Sequence, residues 1–305
     1  MRTTLSRSRL PTKPGPVAVL FLASAPGYHR VMATENWKIL RVEAGRPQPD
    51  ERYDEVVLEL PLEIRVNGLP LVALMRTPGM DKELAVGFCL SERVIRDVSQ
   101  VKLLRHCGQL ERETDPARRK AGPESGDVVE LEVEGPSSLQ RFAGNFLVRT
   151  GCGGADIRAL AQLGEVKVEA DTRVARDVLF TLARRMEEGQ VLFPRTGGTH
   201  GAAVFRPDGA AVVVAEDVGR HNALDKAVGW CAMRRVILED KILFISGRIS
   251  YEMALKAARV GIPILASVAA PTSLGLRLAE EAGLTLVGFC DERRFNLYTH
   301  PWRIA

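Results

Sequence analysis

The sequence predicts an α/β protein in which a layered C-terminal α/β domain follows a smaller, mostly β domain. Three observations carry this. KILFISG (241–247), PILASVA (263–269) and LTLVGF (284–289) are short apolar runs separated by helical stretches, the pattern of strands covered on both faces. Upstream, EVVLELPLEIRVNGLPLVALMRTP (55–78) alternates around Asn67-Gly68, the strongest short hairpin signal. With 305 residues, 46% of them hydrophobic, the chain can close a full core without disulfide or metal staples.

Residues 1–54 read as a partly ordered segment. Its start, MRTTLSRSRLPTKPG, is basic, VAVLFLASA (17–25) is apolar, and Ala23-Ser24-Ala25 has the spacing of a signal-cleavage site. An extended start ahead of the folded domain accounts for the same pattern, and Met32 offers an alternative start. Residues 55–168 form the mostly β domain, opening with strands near 56–66 and 70–76. MDKELAVGFCLSERVI (80–95) follows as a helix, with Leu84, Phe88 and Cys89 at core spacing and Asp81 as its cap. GQLERETDPARRKAGPESGD (108–127) reads as an exposed loop, and VVELEV (128–133) as a strand. In the α/β domain, 169–305, a helix near 174–188 precedes strands AAVF and AVVVAED, joined by Pro207-Asp208-Gly209. Helices near 221–234, 250–260 and 272–282 then alternate with the three buried strands.

A net charge of +4 without Lys/Arg blocks points to a local anion pocket rather than a nucleic-acid surface. No later segment has the roughly 18 apolar residues needed to span a bilayer, so no membrane partner is expected. The five cysteines, at 89, 107, 152, 231 and 290, contain no C-x-x-C pair, which favours a reducing compartment. His200, His221 and Cys152 lack zinc-ligand spacing, and Gly201-Ala202 after His200 rules out the deaminase glutamate, so no zinc is expected. His29, His106 and His300 read as local bonding residues. Neither a Walker loop nor G-x-G-x-x-G is present.

Four stretches put small residues where strands give way to turns: TGCGG (150–154), RTGGTHGA (195–202), SGRISYE (246–252) and SVAAPTS (267–273). Such ends gather at one sheet edge, where helix N-termini present N–H groups to an anion. Arg76, Arg195, Arg220 and Arg248 lie in or beside comparable turns and can grip phosphate in a forked geometry. EDVGRHNALDKAVG (216–229) is the densest polar stretch. Asp217 is placed to accept bonds at a strand end, His221 and Asn222 to bond a heterocycle, and Asp225 to orient His221 from one turn away. At Cys152, Arg149 and backbone N–H groups favour a thiolate while Asp156 opposes it. The residue is either a sulfur carrier or an unreactive turn cysteine.

Long stretches then carry a family resemblance. ELPLEIRVNGLPLVALMRTPGMDKELAVGFCLSE (59–92), RTGCGGAD (149–156), RTGGTHGAAVF (195–205), EDVGRHNALDKAVG, SGRISYEMALKAARVGIPILASVAAPTSLGLRLAEEAGLTLVGF (246–289) and NLYT (296–299) together resemble the formate dehydrogenase accessory sulfurtransferase family, FdhD/NarQ. The resemblance implies a cytoplasmic, homodimeric sulfur carrier whose C-terminal domain is a three-layer, cytidine-deaminase-like fold. It implies transfer of persulfide sulfur from a cysteine desulfurase to bis-molybdopterin guanine dinucleotide, for formate dehydrogenase. Cys152 would be the persulfide carrier. The cofactor would lie against Arg76, Gly197, Gly198, His200, Arg220, His221, Asn222, Asp225, Ser246, Gly247 and Arg248. Many members carry C-x-x-C; here Ala155 holds the second position, which leaves a one-cysteine relay and disfavours a disulfide within the motif. The Cys152 loop is expected to change its order when ligand or partner binds. The alternative is a cofactor chaperone or insertion factor without thiol chemistry.

Overall fold

The computed structural model describes residues 33–46, 48–107, 127–135, 147–149 and 166–305. The basic leader with its 17–25 run, loop residues 108–126 and the Cys152 turn lie outside these.

Strands β1 (Thr34–Arg41) and β2 (Asp50–Val57) form an antiparallel ribbon in which Thr34 faces Val57 and Arg41 faces Asp50. The strand expected at 56–66 is thus divided: Val56 and Val57 end the ribbon, and Leu58 N–H closes it on Ala33 O (2.8 Å). Strands β3 (Leu60–Val66) and β4 (Leu69–Arg76) pair through Asn67 (φ 51°) and Gly68 (φ 78°). Both turn residues have positive φ, as a two-residue type I′ hairpin requires. Helix α1 (Asp81–Ser91) follows, then β5 (Val101–Cys107), β6 (Asp127–Val133) and β7 (Leu147–Arg149), giving a five-stranded sheet in the order β5-β6-β3-β4-β7.

Asp81 does not cap α1. The N-cap is Met80, in a left-handed conformation with no side-chain cap bond, and the Asp81 carboxylate turns back to accept from Arg76 Nε (2.7 Å). The helix stops at Ser91, short of the expected 95, because Arg93 turns left-handed (φ 59°) and Val94 N–H returns to Cys89 O (2.8 Å).

The second half contains α2 (Arg176–Gly189), the single turn α3 (Phe193–Thr196), β8 (His200–Phe205), β9 (Ala211–Asp217) and α4 (Arg220–Met233). It continues with β10 (Ile242–Ile245), α5 (Tyr251–Arg259), β11 (Ile264–Ser267), α6 (Ser273–Ala282), β12 (Thr285–Gly288) and β13 (Asn296–Thr299). The six strands run in the order β13-β12-β11-β10-β8-β9. Alternation along β10 explains the layers. Ile242 and Phe244 join Leu179 and Leu182 of α2 on one face, while Leu243 and Ile245 join α4 and α5 on the other. This is the three-layer α/β unit, with the smaller, mostly β sheet preceding it.

One buried cluster continues from the three-layer unit through α1 into Leu62, Ile64, Val129 and Leu131 of the five-stranded sheet. Its tightest crossing is between α1 and α4. A Cβ on Gly87 would sit 1.8 Å from Asp225 O, and one on Gly229 would sit 1.9 Å from Glu83 O. Both clashes are with backbone, so relief requires the helices to separate. Gly87→Ala should therefore cost about 3 kcal/mol, the upper end of ordinary overpacking, read as a lowered urea midpoint at unchanged m. A midpoint equal to wild type would show that the helices do not meet there.

Candidate functional site

Sheet topology assembles the site. Strands β10, β11 and β12 are parallel, β8 is antiparallel to β10, and β9 is antiparallel to β8. The ends of β9, β10 and β11 and the start of β8 therefore share one edge, where α4, α5 and α6 begin. Ser250 Oγ accepts from Met253 N–H at the start of α5, and Thr272 Oγ1 accepts from Gly275 N–H at α6. The N-cap of α4 is Gly219, which has no side chain to offer. Three converging helix N-termini make this edge electropositive.

The expected residues divide into two groups there. His200, Arg220, Ser246 and Gly247 come together. His200 Nδ1 lies 3.2 Å from Ser246 Oγ, which also accepts from Gly201 N–H (3.0 Å). A Cβ on Gly247 would stand 3.3 Å from Arg220 Cδ and 3.6 Å from His200 Nδ1, so only glycine leaves that cradle open. Arg248 is exposed on the same turn, and Gly197 and Gly198 are exposed just ahead of β8. Burial, reinforced by Arg220 and His221, holds the His200 pKa below its ordinary value, so the imidazole is neutral at neutral pH.

Arg76, Asn222 and Asp225, expected as ligand contacts, instead spend their side chains on internal partners. Arg76 is fully buried and binds both Asp81 and Asp127. Asn222 Nδ2 donates to Met75 O (2.8 Å) and Asp217 Oδ1 (2.9 Å). Asp225 accepts from Lys256 Nζ (2.8 Å) and Ser91 Oγ (2.7 Å) and makes no contact that would orient His221. Helical spacing placed Asp225 on the face of His221, but that face is packed against α1 and α5. Glu252, in the first turn of α5, takes the place expected for Asp225: its Oε2 lies 2.9 Å from His221 Nε2.

Glu216 and Asp217 hold the two segments that frame the edge. The Glu216 carboxylate accepts from the N–H groups of Val191 (2.6 Å), Leu192 (2.8 Å) and Phe193 (2.7 Å) and from Thr199 Oγ1 (3.0 Å), fixing the turn that carries Gly197-Gly198. Asp217 accepts from Thr77 N–H (3.1 Å), Gly219 N–H (2.8 Å) and Lys226 Nζ (2.7 Å). Thr77 Oγ1 in turn accepts from Val218 N–H (3.1 Å). The end of β4 is thereby stitched to the start of α4. Parallel to β4 runs β7, with Arg149 opposite Leu74.

The same stretches decide the kinship. A family model described as FdhD/NarQ matches residues 57–305. The chain belongs to the FdhD/NarQ family. Curated relatives named "Sulfur carrier protein FdhD" include one from Mycolicibacterium paratuberculosis, 38% identical over 90% of this chain and 100% of that protein. Another, from Streptomyces coelicolor, is 40% identical over 89% and 96%, and one from Saccharolobus solfataricus is 37% identical over 88% and 98%. A solved structure of a proposed formate dehydrogenase accessory protein from Desulfotalea psychrophila superposes with a TM-score of 0.69, covering 90% of this chain and 100% of that one. At 24% identity that likeness speaks for the fold.

In this FdhD/NarQ chain, the described cysteines narrow the thiol chemistry. Cys89, Cys231 and Cys290 are buried, and burial pushes their thiols up, Cys231 and Cys290 to about 12. They are packing residues at neutral pH. Cys107, at the end of β5, is exposed. Asp81, His106 and Asp127 lie close enough together to hold a metal, and the Arg76 guanidinium is already paired with both carboxylates there. No described helix is long and apolar enough to cross a membrane.

Three functional positions went unassigned in the sequence. Glu216 stood within the polar EDVGRHN stretch without a role, because its partners lie about 20 residues upstream across a turn. Glu252 and Lys256 meet α4 only through tertiary packing, and no local spacing signals that.

Proposed function

We propose that this chain is a sulfur carrier for formate dehydrogenase maturation, with Cys152 as the carrier and the guanylyl molybdenum cofactor as the molecule it serves. The observation that carries the reading is the placement of β7. Cys152 lies three residues beyond Arg149, hence within about 11 Å of it along even a fully extended chain. Arg149 flanks β4, whose end is bonded to the first turn of α4. Arg149 thus leaves the sheet beside the strand whose end is bonded to α4, and this supports a Cys152 that serves the edge where the helix N-termini converge.

In the loading step, the Cys152 thiolate attacks the outer sulfur of a cysteine desulfurase persulfide. A new S–S bond forms to Cys152, the donor's S–S bond breaks, and the donor cysteine leaves as a thiolate. No outside oxidant or reductant enters. With Ala155 at the second motif position, the sulfur stays on one residue instead of passing into a disulfide within the motif.

The edge suits a bulky anion. Gly197, Gly198 and Gly247 keep backbone open to it, Arg220 and Arg248 supply positive charge, and the α4 N-terminus supplies N–H donors. These residues would hold the phosphates of bis-molybdopterin guanine dinucleotide. The cofactor, when bound, supplies the metal centre to which sulfur is delivered. A cytoplasmic homodimer, served by a desulfurase and serving a formate dehydrogenase, completes the proposal.

Arg248→Ala and Arg220→Ala should each weaken binding of guanosine diphosphate, used as a mimic, at low salt. The difference from wild type should shrink as salt rises. Titration calorimetry at two ionic strengths reads this directly. Unchanged affinity in both variants at low salt would remove the phosphates from this edge.

A further inference from the structure

Two residues of the edge meet because the β8–β10 ladder runs one step past its strands. Ala202 of β8 lies opposite Ile245 of β10, and Ser246 N–H continues the pairing by donating to Gly201 O (2.9 Å). Ser246 therefore stands beside His200, its Oγ 3.2 Å from His200 Nδ1 and 3.0 Å from Gly201 N. Donor and acceptor capacity then decides where the protons lie. A backbone N–H can only donate, so Gly201 occupies one lone pair of the hydroxyl. The hydroxyl hydrogen has one acceptor in reach among the described residues, Nδ1 of His200. An imidazole that accepts at Nδ1 carries its own proton at Nε2. Burial, reinforced by Arg220 and His221, keeps the ring from taking a second proton at neutral pH. The ring is half-buried, and Nε2 bonds to no described residue. His200 and Arg220 border the same space in front of Gly247.

We infer that Ser246 is a positioning residue that fixes His200 in its Nε2–H tautomer, so that His200 offers the edge one hydrogen-bond donor for a phosphate oxygen. This rests on the reading of the edge as a phosphate site, and it gives the Ser246 hydroxyl to His200 instead of to the ligand. The choice of tautomer decides the sign of the contact. An ionised phosphate oxygen only accepts, so Nε2–H attracts it, whereas the Nδ1–H tautomer would turn a lone pair toward it. The arginines supply charge from flexible stems. His200 supplies direction, because its ring is held by a neighbour that the sheet ladder itself holds in place.

The test combines long-range proton–nitrogen spectra of protein carrying isotope-labelled histidine, at neutral pH, with calorimetric titration of inorganic pyrophosphate and guanosine diphosphate. The signals that vanish in His200→Gln belong to His200. In wild type, Nε2 should resonate as a protonated nitrogen and Nδ1 as an unprotonated one. Ser246→Ala should draw the two signals together, as both tautomers become populated, and weaken pyrophosphate about three- to tenfold. Ser246→Thr keeps the hydroxyl and should restore both readouts. A residue that only supported the turn would lower stability and leave the tautomer unmoved. His200→Gln puts an amide N–H₂ where Nε2–H stood and should hold pyrophosphate within about threefold of wild type, whereas His200→Ala should lose about tenfold. A wild-type proton on Nδ1, or on both nitrogens, would overturn the assignment, and continued pyrophosphate binding would then show that the phosphate site stands without it. If wild type shows the Nε2–H form but binds neither pyrophosphate nor guanosine diphosphate, the phosphate reading falls and takes the donor role of His200 with it.

Discussion

Replacing Lys256 by Met should destabilise the protein by about 3–5 kcal/mol, a large share of the 5–15 kcal/mol that ordinarily holds a domain together. Lys256 is 4% exposed, and its ammonium lies 2.8 Å from Asp225, 3.0 Å from Glu92 and 2.8 Å from Ser91 Oγ. Burial opposes the charge on Lys256, but the Asp225 and Glu92 carboxylates outweigh it and hold its pKa above that of an ordinary lysine. Without the cation, Asp225 is a sealed carboxylate with another carboxylate for company. The structural consequence reaches the site, since Ser91 and Glu92 end α1, Asp225 is on α4 and Lys256 is on α5. The three helices are tied together within two turns of the N-termini that form the edge. Urea unfolding reads the loss as a lower midpoint. Adding Asp225→Asn should recover part of it, because the stranded charge is then gone. A single variant within about 0.5 kcal/mol of wild type would show that the ion pair is not formed as described.

That lattice also marks where sequence reading stops. The Asn67-Gly68 turn was legible because its geometry is local: two residues must hold positive φ, and Asn-Gly does so at low cost. The strands β10, β11 and β12 were legible because continuous apolar runs between helical stretches leave few alternatives. The β1–β2 ribbon was not. TENWKILR and DERYDEVV mix charges into both faces, so neither shows the alternation of a half-buried strand, and Trp37, Leu40 and Tyr53 are exposed. At the site, the glycine-bearing turns and the EDVGRHN stretch were found as a set, since small residues and polar density at strand ends are sequence properties. Which carboxylate faces His221 was not a sequence property. The four-residue spacing from His221 to Asp225 is real, but the partner comes from α5, 31 residues beyond His221 in the chain.

Cys152→Ala should abolish support of formate dehydrogenase activity, and Cys107→Ala should leave it intact. No buried thiol can stand in. With their pKa values pushed to about 12, Cys231 and Cys290 carry roughly 10⁻⁵ thiolate at pH 7, and both are sealed from a protein donor. Cys107 is the one exposed thiol among the described residues, so it is the control that separates a carrier role at 152 from general thiol loss. Guanosine diphosphate binding should survive in Cys152→Ala, because the phosphates are assigned to the glycine turns and arginines rather than to sulfur.

The central claim concerns where sulfur sits, and mass mapping tests it most directly. After incubation with a cysteine desulfurase and cysteine, the peptide containing Cys152 should gain about 32 Da, one sulfur atom, and lose it on reduction with a thiol. A protein that gains no such mass at Cys152 while the donor is charged, or gains it only at Cys107, would contradict the account.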